Sequence, residues 1–358
     1  MRMRTGLGVG VALLLVFGGA ARGQQASPAG QTAGAPAVLG VPAGAGGMEL
    51  DVVVTPKSGA PVAGLHAHDF VVLDNKVAQP LTSFHGYEGS PEPVEVILLV
   101  DSVNTSFRHV AYERTEIDKF LSSHGGKLSQ PMTLAILTDK GVKKQPGYTT
   151  DGNAIAAELD KETIGLRDIT RETGFYGAGE RADISINALR QLLTYEATRP
   201  GRKAILWVSP GWPLLAGTQG FLQGSQQRQI FDQLVSISGL LRQAQTTIYD
   251  INPLGPGEGV EDTFNYLDFM KGVKKPLDSN LGNLGLQVIA TQSGGLVLTG
   301  SSDITGMLER CLTEAGTYYT LTYDPPAPRA KNEYHSIEVK VGEHGLTART
   351  RMGYYTAP

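Results

Sequence analysis

The sequence predicts an α/β protein: a mostly parallel sheet with helices on both faces, flanked at its two ends by short antiparallel β segments. Three observations carry this. Nearly continuous apolar runs recur at Val94–Val100, Met132–Leu137 and Ala204–Val208, as in strands buried on both faces. Between them lie segments with apolar residues at helical spacing, such as Phe107, Val110, Ile117 and Leu121. Toward each end, around residues 50–87 and 318–352, apolar and polar residues alternate with the period of two that marks half-buried strands.

In chain order, Arg2 and Arg4, the short apolar stretch Leu7–Phe17 and the small residues Ala21 and Gly23 read as a secretory signal cut before Gln24. The stretch is too short to span a bilayer comfortably. The expected organisation is therefore a signal peptide over 1–23 and a flexible Ala/Gly/Pro/Gln-rich linker over 24–47. An N-terminal β segment follows over 48–90, with strands at Leu50–Thr55, Phe70–Leu73 and Leu81–Tyr87 and turns at Lys57–Gly59 and Asp74–Lys76. The α/β domain spans 91–313. Asp151, Asp183 and Asp303 are placed to cap helices, and Ile230, Leu234, Ile237, Leu241 and Ala244 mark one face of a long one. A C-terminal β segment, 314–358, contains strands at Tyr318–Tyr323, Ser336–Val341 and Leu346–Met352. Neither end is long enough for a core of its own, so the two are expected to pair into one small β-sandwich.

Composition bounds the function. The chain has 358 residues and is 41% apolar, enough for a real core. Its net charge is −4 with no Lys/Arg block, which argues against nucleic acid and anionic membrane surfaces as partners. Cys311, the single cysteine, cannot form an internal disulfide and falls on an apolar face with Met307 and Leu308. After signal cleavage no membrane insertion is expected, and the mature chain should be periplasmic or extracellular.

A buried strand ending in Asp101-Ser102-Val103-Asn104-Thr105 and running into an amphipathic helix resembles the first strand of von Willebrand factor type A domains, which carry Asp-x-Ser-x-Ser there. Arg202–Gly211 resembles their fourth strand, which usually ends in Thr/Ser-Asp-Gly. Gly64–Phe70, Asn104–Phe107, Tyr318–Pro325 and the ending Arg349-x-Arg351-x-Gly353-Tyr354-Tyr355 are similar, in order and spacing, to von Willebrand A-related proteins of acidobacteria, over roughly Leu50 to Pro358. The resemblance implies a Rossmann-like sheet in the order 3-2-1-4-5-6 with strand 3 antiparallel. The ligand crevice would then lie between strands 1 and 4, at their carboxyl ends.

The resemblance also implies a metal-ion-dependent adhesion site, here degenerate. Asp101, Thr105 and Ser209 match possible ligands. Val103 stands where a hydroxyl is expected and Pro210 where a second carboxylate is, and Tyr176–Ala182 offers no Thr. Mg²⁺ needs well-placed octahedral oxygens, so at most weakly held Mg²⁺ and no other cofactor is expected. In the bland alternative Asp101 caps the helix or binds backbone amides. His66-Ala67-His68 has metal-like spacing but sits in a turn and reads as exposed loop histidines. No Gly-x-Ser-x-Gly elbow, phosphate loop or His-Glu-x-x-His is present.

Two segments at the expected crevice, 211–224 and 252–283, are long for loops in a compact domain. Trp212, Leu214, Phe221, Phe264 and Tyr266 on them are candidates for contacting a protein partner, or for folding back onto the sheet. The expectation is an exported protein–protein interaction or adhesion-type module without catalytic activity. The alternatives are a metal-assisted hydrolase using Asp101 and a structural component of the cell envelope.

Overall fold

The computed structural model describes residues 47–88, 93–105, 107–162, 175–212, 222–254 and 265–356. The expected signal peptide, nearly all of the linker, and Leu214, Phe221 and Phe264 lie outside the described residues.

The chain opens with four strands, β1 (Met48–Pro56), β2 (Phe70–Asp74), β3 (Val77–Gln79) and β4 (Leu81–Glu88). The α/β portion then runs β5 (Glu95–Asp101), α1 (Phe107–Ser122), β6 (Lys127–Thr138), β7 (Gly141–Lys144), β8 (Thr149–Asp151), α2 (Gly152–Lys161), α3 (Phe175–Glu196), β9 (Lys203–Val208), α4 (Gly224–Gln243), β10 (Thr246–Ile251), α5 (Leu286–Gln292), β11 (Val297–Leu298) and α6 (Ile304–Gly316). Four strands close the chain: β12 (Thr317–Tyr323), β13 (Tyr334–Val341), β14 (Leu346–Arg349) and β15 (Gly353–Tyr355).

The central sheet has seven strands in the order β11-β10-β9-β5-β6-β7, with β8 also on β6. Its pairs are parallel from β11 through β6, while β7 and β8 run antiparallel to β6. Alternate residues of β5 feed two cores. Val96, Leu98 and Val100 pack with α1, α2 and α6, and Ile97 and Leu99 with α3, α4 and α5. That two-sided burial explains why the central strands read as unbroken apolar runs. Asp151 caps α2 through Asn153 N and Ala154 N, and Asp303 caps α6 through Gly306 N.

The two ends of the chain pair with each other. β1 lies between β12 and β14, with β4 on the far side of β12, and β13 pairs with β2 and β15, with β3 beyond β2. A third core fills the space between these sheets, with Leu50, Val52 and Val54 against Phe70, Val72, Tyr319, Leu321, Tyr323 and Val339.

Two local expectations are corrected. Asp183 is not a helix cap: α3 begins eight residues earlier and runs through it. The stretch Leu346–Met352 is not one strand either. β14 ends at Arg349 on β1, and β15 starts at Gly353 on β13, so the chain crosses from one sheet of the sandwich to the other. In the crossing Met352 N donates to Gln292 O, while Met352 O accepts from Ile337 N and so already belongs to the β13 register.

Candidate functional site

β5 and β9 are neighbours, so their carboxyl ends bring Asp101 and Ser209 together at the edge of the sheet. Asp101 is fully buried and its carboxylate accepts five hydrogen bonds. Oδ1 takes the amides of Val103 and Asn104, each at 3.0 Å. Oδ2 takes Asn104 Nδ2 at 2.8 Å, Ser209 Oγ at 2.8 Å and Trp207 Nε1 at 3.2 Å. A carboxylate offers about four lone-pair sites, so this one is saturated by the protein itself. Burial raises its pKa, and the bonds from Asn104, Ser209 and Trp207 offset part of that rise. Asn104 Nδ2 also donates to Ser185 Oγ of α3 at 2.9 Å, which ties the turn after β5 to the neighbouring helix.

The other expected ligands do not join this set. Val103 packs into the apolar core with Trp207 and Trp212. Pro210 is buried and contributes no carboxylate. Residues 177–182 form helical turns of α3 rather than a loop. Thr105 turns instead toward Glu113 of α1.

Glu113 is 2% exposed. Burial holds its carboxyl well above the ordinary range, and the nearby Asp101 adds to the rise. Thr105 offsets this only in part. Among the described residues neither its hydroxyl nor either Glu113 oxygen makes a hydrogen bond of normal geometry. Burial thus favours the neutral form of Glu113. Its signal in the sequence was available, because it falls between Val110 and Ile117 on the apolar stripe of α1, where a carboxylate is out of place.

The residues present do not fit a divalent cation bound at Asp101. Its oxygens are engaged, Ser209 Oγ donates its proton to it while accepting from Gly211 N, and the further carboxyl in this network, Glu113, is held toward its neutral form by burial. Among the described residues no group of three or more acidic, His or Cys side chains is arranged to hold a metal.

Of the partner candidates, Trp212 is the clearest correction. It is fully buried, 5.3 Å from Trp207 in an edge-to-face arrangement. Gly211, with φ of +93°, makes the turn that folds it back, a conformation side-chain-bearing residues rarely adopt. Tyr266 is partly buried and packs with Phe269 and Met270 on Ala182 and Val288.

A second polar cluster lies inside the sandwich. Asp74 Oδ2 accepts from Tyr323 OH at 2.9 Å and from Tyr354 OH at 3.0 Å, and Oδ1 lies 2.8 Å from His335 Nδ1. Burial and the Asp74 charge push both tyrosines up. The His66 and His68 rings are exposed and lie beside Asp69. Cys311 is buried and forms no disulfide, and burial raises its thiol pKa. Among the described residues no helix is long and apolar enough to cross a membrane.

No protein-family model and no curated protein sequence matches the chain. Among solved structures it is similar to proximal thread matrix protein 1 from the mussel byssus, at 12% identity and a TM-score of 0.33, over 64% of this chain and 49% of that one. It is similar also to the human COPII-coat protein Sec24c, at 8% identity and a TM-score of 0.30, over 75% of this chain and 44% of that one. The pilus adhesin SpaC from Lactobacillus rhamnosus GG matches at 9% identity and a TM-score of 0.35, over 82% of this chain and 45% of that one. The chain thus spans about half the length of these structures or less.

Proposed function

We propose that this chain is an exported, non-catalytic protein-interaction module built on a von Willebrand factor type A-like domain whose adhesion site works without a metal. The observation that carries the reading is the saturated Asp101 carboxylate. In a working metal site that carboxylate must leave lone pairs for the cation. Here Mg²⁺ would have to displace hydrogen bonds from Asn104, Trp207 and Ser209, and neither Val103 nor Pro210 supplies an oxygen in return. Counting the strands of the large sheet in chain order with β8 set aside, the order 3-2-1-4-5-6 with strand 3 antiparallel supports the von Willebrand A-like reading. Export rests on the pattern of the first 23 residues.

Site-specific photo-cross-linking in the native organism tests it. A cross-linker at Phe221 or Phe264 is expected to trap one defined partner protein, unchanged by EDTA, while one at the exposed Val77 on the sandwich traps none. Loss of the adduct in EDTA overturns the metal-independent reading, and absence of any adduct overturns the choice of surface. Hydrolysis of chromogenic esters, phosphates or peptides that disappears in Asp101→Asn would make the protein a hydrolase instead.

A further inference from the structure

α3 and α4 pack side by side on one face of the central sheet, through Leu189 and Leu193 of the first and Ile230 and Leu234 of the second. Outside this apolar contact the two helices leave a cleft of about 390 Å³ that opens to solvent. Arg190 of α3 stands on one wall, and Ser225, Arg228, Gln229, Asp232 and Gln233 of α4 on the other. The α4 residues recur at three- and four-residue spacing. They therefore form one polar stripe about 12 Å long at the rise of an α-helix.

Arg190 follows the buried Leu189 and is itself partly buried. Its Nε is shut off from solvent and, among the described residues, has no acceptor. Arg114, Arg199, Arg202 and Arg349 are also drawn into the molecule, and each closes on a carboxylate. Arg190 closes on none among the described residues. Arg228 is exposed, and although Asp232 stands one turn further along α4 the two form no ion pair. The cleft thus holds two unpaired guanidiniums against one carboxylate. A guanidinium that has lost part of its hydration without gaining an acceptor gains more from an oxyanion than a fully hydrated one does.

The rest of the lining says which oxyanion. Asp232 lies in the same cleft and repels a multiply charged anion more strongly than a single carboxylate. Gln229 and Gln233 each offer a donor and an acceptor, the pair of functions that a peptide group presents. The polar stripe is also longer than a small inorganic anion, and it matches a short run of polypeptide instead. A carboxylate meets the planar fork of an arginine with two parallel hydrogen bonds.

We propose that the cleft between α3 and α4 docks a segment of a partner polypeptide through an Asp or Glu side chain. Arg190 and Arg228 bind the carboxylate from the two walls, and Gln229 and Gln233 bind the peptide groups beside it. The cleft is formed by the sides of helices rather than by strand ends, and the proposal does not rest on the reading given for the strand-end surface.

The test uses the full mature chain and two blocked peptides, N-acetyl-Ala-Glu-Ala-Ala-Glu-Ala amide and its counterpart with Gln for Glu, titrated at constant ionic strength and followed by NMR. The Glu peptide is expected to bind at least about tenfold more tightly, because the charge-assisted pairs are lost with Gln. Arg190→Gln and Arg228→Gln should each reduce that preference severalfold. Asp232→Asn should strengthen binding of the Glu peptide by roughly threefold, since it removes the repelling charge at an exposed site. Melting curves establish that each variant is folded. If Arg190→Gln does not fold, the exposed Arg228→Gln decides alone. Equal binding of the two peptides, no binding of either at millimolar concentration, or an undiminished preference in folded Arg228→Gln overturns the proposal. Inorganic phosphate that binds as tightly as the Glu peptide also overturns it and makes the cleft a small-anion site.

Discussion

The Asp101 carboxylate is a structural anion, and removing it leaves its donors behind. Asp101→Ala would strand the Trp207 indole N–H, the Ser209 hydroxyl and two backbone amides in a buried site. It is expected to cost about 3–5 kcal/mol, the usual penalty for breaking one side of a buried charged network, seen as a lower Tm or urea midpoint. Glu113, buried as well, has no comparable set of donors among the described residues. Its folded pKa is raised, so between the unfolded value of 4.5 and the folded value the native state keeps a proton that the unfolded chain has lost. Stability therefore falls as pH rises through that window. Glu113→Gln should match the parent near pH 4 and exceed it at pH 7 to 8, a crossing that urea titrations at several pH values can check. Trp212→Ala is expected to cost about 3–5 kcal/mol as a core truncation, where an exposed anchor would leave thermal stability almost unchanged. Asp101 and Ser209 were legible as a pair because each closes a strongly apolar strand. The burial of Trp212 was not, because an aromatic residue after Pro-Gly reads equally as loop surface or as a return to the core.

At the scale of elements, caps and apolar stripes were legible where one residue decides the outcome, as with Asp151 and Asp303. They failed where several compete. Asp183 has the right chemistry for a cap, yet α3 continues through it because Ile186 and Leu189 pack on the sheet and Ala182 on Val288 of α5. The break between β14 and β15 was also invisible, since the alternation of 346–352 is compatible with one strand and shows no turn residue before Gly353. The polar cluster at Asp74 ties β2, β12, β13 and β15 together through side chains. Asp74→Ala leaves two tyrosine hydroxyls and His335 without their acceptor. It is expected to cost about 3–5 kcal/mol, with faster hydrogen exchange in β13 and β15 and unchanged exchange in β5 and β9.

For the whole molecule, period-two alternation reveals which face of a strand is buried but not which strand lies beside it. The sequence therefore marked both β-rich ends without indicating that β1 sits between β12 and β14. Removing residues 316–358 takes away both neighbours of β1. Amide protection over 48–56 and 70–74 should then collapse, while that of 95–101 and 203–208 persists. Retained protection in β1 would mean that the sandwich is not one cooperative unit with the C-terminal strands. A titration with Mg²⁺ gives a second global check: the melting temperature should move by less than a degree at millimolar Mg²⁺, because a ligand stabilises only in proportion to its occupancy of the native state.

The crossing strands also set an order of events at the ribosome. Tyr354 meets Asp74 across 280 residues of chain, and Tyr319 meets Leu65 across 254. The sandwich core cannot close until β12 to β15 have been made, whereas every strand of the central sheet precedes them. The first strands to be made are thus the last to find their partners. Until β12 to β15 emerge they keep open edges, the state in which a β segment is most exposed to pairing with the wrong chain.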